Sequence, residues 1–134
     1  MLNTTDEILE QKFTEVGILS LRKDNILTFE PKLDKTEQTL DSMKSDFEIL
    51  KNWANGEKYG FLVDSRRFKK FNSESRAYAQ EKTPLFSDKY AIIISSGTSS
   101  FLANLFIYLN RPSIPTKTFT TKDEAIIWLK SEIK

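Results

Sequence analysis

Two short runs, "YGFLVD" at 59–64 and "YAIII" at 90–94, constrain this chain more than anything else in it. Neither alternates apolar with polar residues. A strand with one wet face alternates, whereas a strand covered on both faces reads as a continuous apolar run, and such strands belong to parallel sheets flanked by helices. A parallel pair needs a crossover of a dozen or more residues, usually helical. The interval between the two runs supplies one, because 73–82 reads as a helix that ends ahead of Pro84.

The remaining segments extend that pattern. "VGILSLR" at 16–22 reads as a strand, Asp24-Asn25 as a turn, and "ILTFEP" at 26–31 as the antiparallel partner. Asp34 with Glu37 resembles a capping box and predicts the start of a long helix. In that helix Leu40, Met43, Phe47, Leu50 and Ala54 form one apolar stripe, and Asn55-Gly56 supplies a left-handed stop. A helix is expected over 99–110, ended by Arg111-Pro112, then a strand at 116–120. Thr121 with Glu124 forms a second capping box, opening a last helix with Ile126, Leu129 and Ile133 on one face. Residues 1–13 lack a period and read either as a frayed tail or as an extra strand. The order is β-β-α-β-α-β-α-β-α, an α/β sandwich with a mostly parallel sheet and an antiparallel first strand, in one domain spanning 1–134. Leu62, Val63, Ile92, Ile93, Phe47 and Leu50 are expected in one core between the sheet and its helices.

Composition narrows the chemistry. The chain has no cysteine and no histidine, which removes disulfides, thiolate nucleophiles, imidazole acid–base catalysis and Cys/His zinc sites together. Twenty Lys and Arg balance nineteen Asp and Glu, which argues against a dedicated nucleic-acid binder. The polar, acidic start is not a signal peptide. The longest apolar stretch, "FLANLFIYL" at 101–109, is too short to span a bilayer, so no transmembrane segment is expected and the protein reads as soluble and cytoplasmic.

Against that balanced background, "VDSRRFKKFNSESRAY" at 63–78 concentrates cations. It follows the central strand, and this whole order resembles the STAS fold of anti-sigma-factor antagonists (SpoIIAA-like). That family places a "D-L-S-G-V-x-x-I-D-S-S-G-L" segment after a central strand. Here Asp64 is followed by Asn72-Ser73, with Phe68 and Phe71 at the two apolar positions. Arg66 and Arg67 replace the Ser-Gly pair, Asn72 stands where the family carries aspartate, and Glu74-Ser75 replaces Ser-Gly. The resemblance implies that Ser73 occupies the place of the phosphorylatable serine. The segments "LVDSRRF", "LANLFIYLNRPSIPTKTF" and "TKDEAIIWLK" are similar to the group of small bacterial proteins called STAS/SEC14-domain or SpoIIAA-like, over roughly residues 16–132.

Ligands of α/β sheets gather beyond the C-terminal strand ends, where Ser73 would start a helix whose amides favour an anion. Arg66, Arg67, Asn72 and Arg76 form one candidate anion or partner surface; Ser95, Ser96 and Thr98, leaving the next strand on the same edge, form the other half. The bland readings are a solvated basic loop and a helix cap of small polar residues. The helix 99–110 is apolar nearly all round, with Phe101, Leu105, Phe106, Ile107 and Tyr108 spread over its surface, so it must be covered by its own chain, a second subunit or an apolar ligand. No catalytic set emerges, because neither Ser73 nor Ser95 has a base. The expectation is a non-enzymatic STAS-like regulatory or binding module without cofactor or metal, acting through protein contacts at the Ser73 edge. The alternative is a carrier or sensor of a small apolar or anionic, lipid-like ligand using the helix 99–110; a homodimer is a further expectation.

Overall fold

In a computed structural model that describes residues 7–32, 34, 37–67, 73–95 and 113–131, six strands form one mixed sheet in the order β1-β2-β3-β4-β5-β6. The strands are β1 (Ile8–Phe13), β2 (Gly17–Arg22), β3 (Ile26–Pro31), β4 (Tyr59–Asp64), β5 (Ser87–Ile93) and β6 (Thr116–Phe119). β1, β2 and β3 are antiparallel neighbours, while β3 through β6 run parallel. The α/β class and the antiparallel start agree with the sequence reading, and the segment before residue 16 contributes a strand, β1, rather than a frayed tail from 8 to 13. Asn25, at φ 64°, makes the β2–β3 turn in the left-handed region that asparagine tolerates. Gly17 opens β2 where a Cβ would lie 2.5 Å from the Glu30 carbonyl oxygen and 2.6 Å from the Phe29 ring, so no larger residue fits that crossing.

Three helices are described: α1 (Leu40–Ala54), α2 (Ser73–Lys82) and α3 (Lys122–Lys130). α1 begins five residues later than the Asp34–Glu37 pair predicts. The cap is Thr39, whose hydroxyl accepts from the Ser42 amide at 3.1 Å while the Ser42 hydroxyl accepts from the Thr39 amide at 3.1 Å. This reciprocal pair satisfies both end donors, leaving Asp34 exposed outside the helix. Asn55 and Gly56, with φ 50° and 86°, end α1 as read from the sequence. Thr121 caps α3, accepting from the Glu124 amide at 3.3 Å.

Side chains alternate across a strand, so adjacent residues serve opposite faces. α1 and α2 cover one face, over Leu19, Leu27, Phe29, Phe61, Tyr90 and Ile92. α3 covers the other, over Ile26, Leu62, Ala91 and Ile93, with Ala125 and Leu129 as its buried residues. Handedness explains the division: right-handed crossovers that advance across a sheet in one direction place their helices on one side. α1 and α2 are such crossovers, while α3 follows the last strand and is free to close the opposite face. The single core expected from sequence is therefore two. Phe47, Leu50 and Ile92 belong to the first and Leu62 and Ile93 to the second, while Val63 is only partly buried at the margin of the first. The first contains an aromatic cluster, Phe61 lying 5.1 Å from Phe86 and 5.2 Å from Tyr90 between ring centroids. The second is pinned by Lys89, a buried β5 cation whose Nζ donates to the Trp128 carbonyl at 2.6 Å and the Ser131 carbonyl at 2.8 Å, at the C-terminal end of α3.

Candidate functional site

β4 stops at Asp64 because the next residues turn away from the ladder. Ser65 is buried, its amide and hydroxyl both donating to the Ile93 carbonyl, at 3.0 and 2.8 Å, which ties the ends of β4 and β5 together. Ser95 does the same work more weakly, its hydroxyl donating to the Arg66 carbonyl at 3.5 Å. The chain then folds Arg66 back over the strand end. Its Nε donates to Asp64 Oδ1 at 2.9 Å and its Nη2 to Oδ2 at 2.7 Å, and the Arg66 amide adds a third bond to Oδ1 at 3.1 Å. Burial pushes the Asp64 carboxyl up, but the Arg66 side-chain and backbone hydrogen bonds and the charges of Arg66 and Arg67 outweigh it, holding the group below the usual carboxylate range. The same bond to Asp64, against partial burial and helped by the charge of Glu30, raises Arg66 above the usual guanidinium value.

A small polar hollow of about 50 Å³, open to solvent, lies beside this pair, on the α3 side of the parallel strand ends. Its charged lining residues are Glu30, Asp64, Arg66 and Lys122, two acids and two bases, over a floor that includes Thr28 and Ile93. The sequence reading did not include Glu30, Thr28 or Lys122, because nothing local joins residues so far apart. Arg67 is exposed and makes no salt bridge among the described residues. Ser73 is exposed at the first position of α2, and Arg76 is half-buried one turn further on. No hydrogen bond or ion pair joins Arg66 or Arg67 to Ser73 among the described residues. The structure thus brings Asp64, Arg66 and Ser95 into contact and leaves Ser73 and Arg76 on α2. Asn72, Ser96, Thr98 and the helix expected over 99–110, with Phe101, Leu105, Phe106, Ile107 and Tyr108, lie outside the described residues.

A second feature sits under α1. A small, mostly apolar gap of about 20 Å³, room for about one water, is lined by Phe29, Met43, Phe47, Phe61, Ala79 and Tyr90, and its wall carries Gln38 and Asp46. Asp46 is 2% exposed and accepts from Gln38 Nε2 at 3.0 Å. Burial pushes its carboxyl up to about 6, against the hydrogen bonds from Thr14 and Gln38, and the charge of Glu15 adds to the upward push. Sequence reasoning passed over this group. The available signal was its place three residues after Met43 and four before Leu50, on the apolar stripe of α1.

Among the described residues, no group of three acidic side chains could hold a metal ion, and no helix is long and apolar enough to cross a membrane. Compared with known proteins, residues 19–133 match the model of a family described as a domain of unknown function, DUF7793. No curated protein and no solved structure matches the chain.

Proposed function

The chain belongs to the DUF7793 family, whose description assigns no activity, and from that premise we propose that it is a non-enzymatic, STAS-like regulatory module of the cytoplasm that docks an anionic protein partner where β4 and β5 end. The observation carrying this reading is the exposure of Ser73 at the first position of α2, together with the exposure of Arg66 and Arg67 just past the end of β4. A helix start favours negative charge, and a phosphate on Ser73 would bring about −1.5 to −2 charges with strong acceptor oxygens. Asp64 engages Nε and Nη2 of Arg66, leaving Nη1 for a partner and fixing the plane of the guanidinium. Arg67 supplies a second, exposed cation. The Ser65 and Ser95 hydroxyls bond backbone carbonyls, which suits recognition better than nucleophilic chemistry. The STAS resemblance of 63–78 supports a regulatory role of the protein–protein kind.

The test is a photo-crosslinking amino acid at Glu74, which leaves Ser73 intact, with Lys51 on α1 as the control position, in the cells that make the protein. A discrete cross-linked product should arise from position 74 alone. It should disappear in Arg66→Ala/Arg67→Ala and persist in Lys69→Ala/Lys70→Ala. Equal products from both positions, or one indifferent to the arginines, overturns the reading.

A further inference from the structure

The sheet has two edges, and they are built differently. β6 has four residues, follows Pro115 and exposes Lys117, all features that blunt an edge against pairing. β1 has six residues, with Leu9 59% and Phe13 65% exposed, and no described strand pairs with its outer side.

The hydrogen-bond phase of β1 follows from its inner side. The Thr14 amide donates to the Gly17 carbonyl at 2.8 Å, in the register that also sets Lys12 opposite Leu19 and Glu10 opposite Leu21. Hydrogen-bonded residues alternate along an antiparallel ladder. Lys12 and Glu10 therefore direct their backbone polar groups toward β2, and Gln11 and Phe13 direct theirs outward. The Gln11 side chain agrees, reaching Ser20 Oγ at 3.2 Å across a pair whose backbones are not bonded to each other.

We propose that the outer edge of β1 pairs antiparallel with β1 of a second copy of this chain, about a two-fold axis through Gln11, so that two sheets become one. In a two-fold contact each strand meets its own sequence reversed. With the axis at Gln11, Gln11 faces Gln11 of the second copy, Leu9 faces Phe13, and Glu10 faces Lys12. The apolar and charged pairs each occur twice. The two neighbouring axes that keep the same hydrogen-bond phase fail on charge: an axis at Glu10 sets Glu10 against itself, and one at Lys12 sets Lys12 against itself. Opposite charges across strands stabilise and like charges destabilise, so the charge pattern selects one register. The register shift between Ile8 and Glu10 falls on Leu9, which has no partner on β2, so the regular stretch is Glu10 through Phe13 and Leu9 closes the pairing at its end.

The proposal is tested by light scattering and sedimentation, with charge swaps at exposed positions that should leave the far-UV circular dichroism of the chain unchanged. The chain should be dimeric. Glu10→Lys and Lys12→Glu should each weaken the dimer by about 10-fold or more, and Glu10→Lys/Lys12→Glu together should restore it. Because the chain lacks cysteine, Gln11→Cys provides a single thiol. Hydrogen-bonded antiparallel partners lie about 5.5 Å apart between Cα atoms, within disulfide range. On a denaturing gel, diamide should convert Gln11→Cys to a covalent dimer and leave Asp41→Cys without a cross-link. A monomer that Gln11→Cys does not cross-link overturns the proposal, as does a dimer indifferent to both single swaps.

Discussion

Asp46→Asn is expected to make the protein more stable at neutral pH. Asp46 lies on the sheet side of α1, 2% exposed, with its carboxyl pushed up by burial to about 6 from an ordinary value of 3.8. Between those two values the folded state holds a proton that the unfolded chain has released. Stability contributed by this group is therefore full below the unfolded value and is lost as pH rises through the folded one. About two pK units at about 1.4 kcal/mol each give about 3 kcal/mol at neutral pH, an upper value for a removable cost. Asparagine keeps a carbonyl to accept from Gln38 and carries no charge to desolvate. Urea unfolding of both proteins across about pH 4 to 7 isolates the effect, because every other titrating group cancels in the difference. The asparagine variant should match the parent near the acid end and exceed it increasingly toward neutrality. A difference that stays flat through the window, or an asparagine variant less stable at neutral pH, refutes the argument.

Leu50, fully buried on the inner face of α1, should cost about 2–5 kcal/mol when cut to alanine, and an unchanged urea midpoint would contradict its place in the first core. Lys89→Met leaves the Trp128 and Ser131 carbonyls without their cation, so α3 should lose about 1–3 kcal/mol and its amides should exchange faster than those of α1. Equal exchange in α3 of parent and variant would show that the lysine is dispensable. Asp64→Asn loosens an ion pair whose arginine is half exposed, so stability should fall by less than about 1 kcal/mol, and a larger loss would mean the pair also holds the β4–β5 end closed. Because the Asp64 carboxyl lies below its usual range, its small contribution is present at neutral pH and fades as pH falls through that lowered value.

Much of the site was readable only as a neighbourhood. The end of β4 at Asp64, the start of α2 at Ser73 and the left-handed stop at Asn55-Gly56 follow from interactions within a few residues, and the structure places them where the sequence puts them. Arg66 was legible as a cation on that edge but not as the partner of Asp64. That bond requires the strand to end there and the chain to double back, which Ser65 secures by bonding Ile93 on another strand. Glu30 and Lys122 reach the same hollow from opposite ends of the chain, and no spacing rule connects them.

What the sequence by itself determined is the kind and order of the elements. Helix and strand periods differ, caps and stops are local chemistry, and unbroken apolar runs demand cover on both faces. The tertiary structure alone decided which face each element covers. Neighbouring residues on a strand point opposite ways, and only the handedness of the crossovers tells which helix meets them, so Leu62 and Val63 part company despite identical patterning. It also decided the charge state of Asp46. The ionisation of a carboxyl depends on how much water packing removes from it, and a stripe on a helix does not say what will be packed against it.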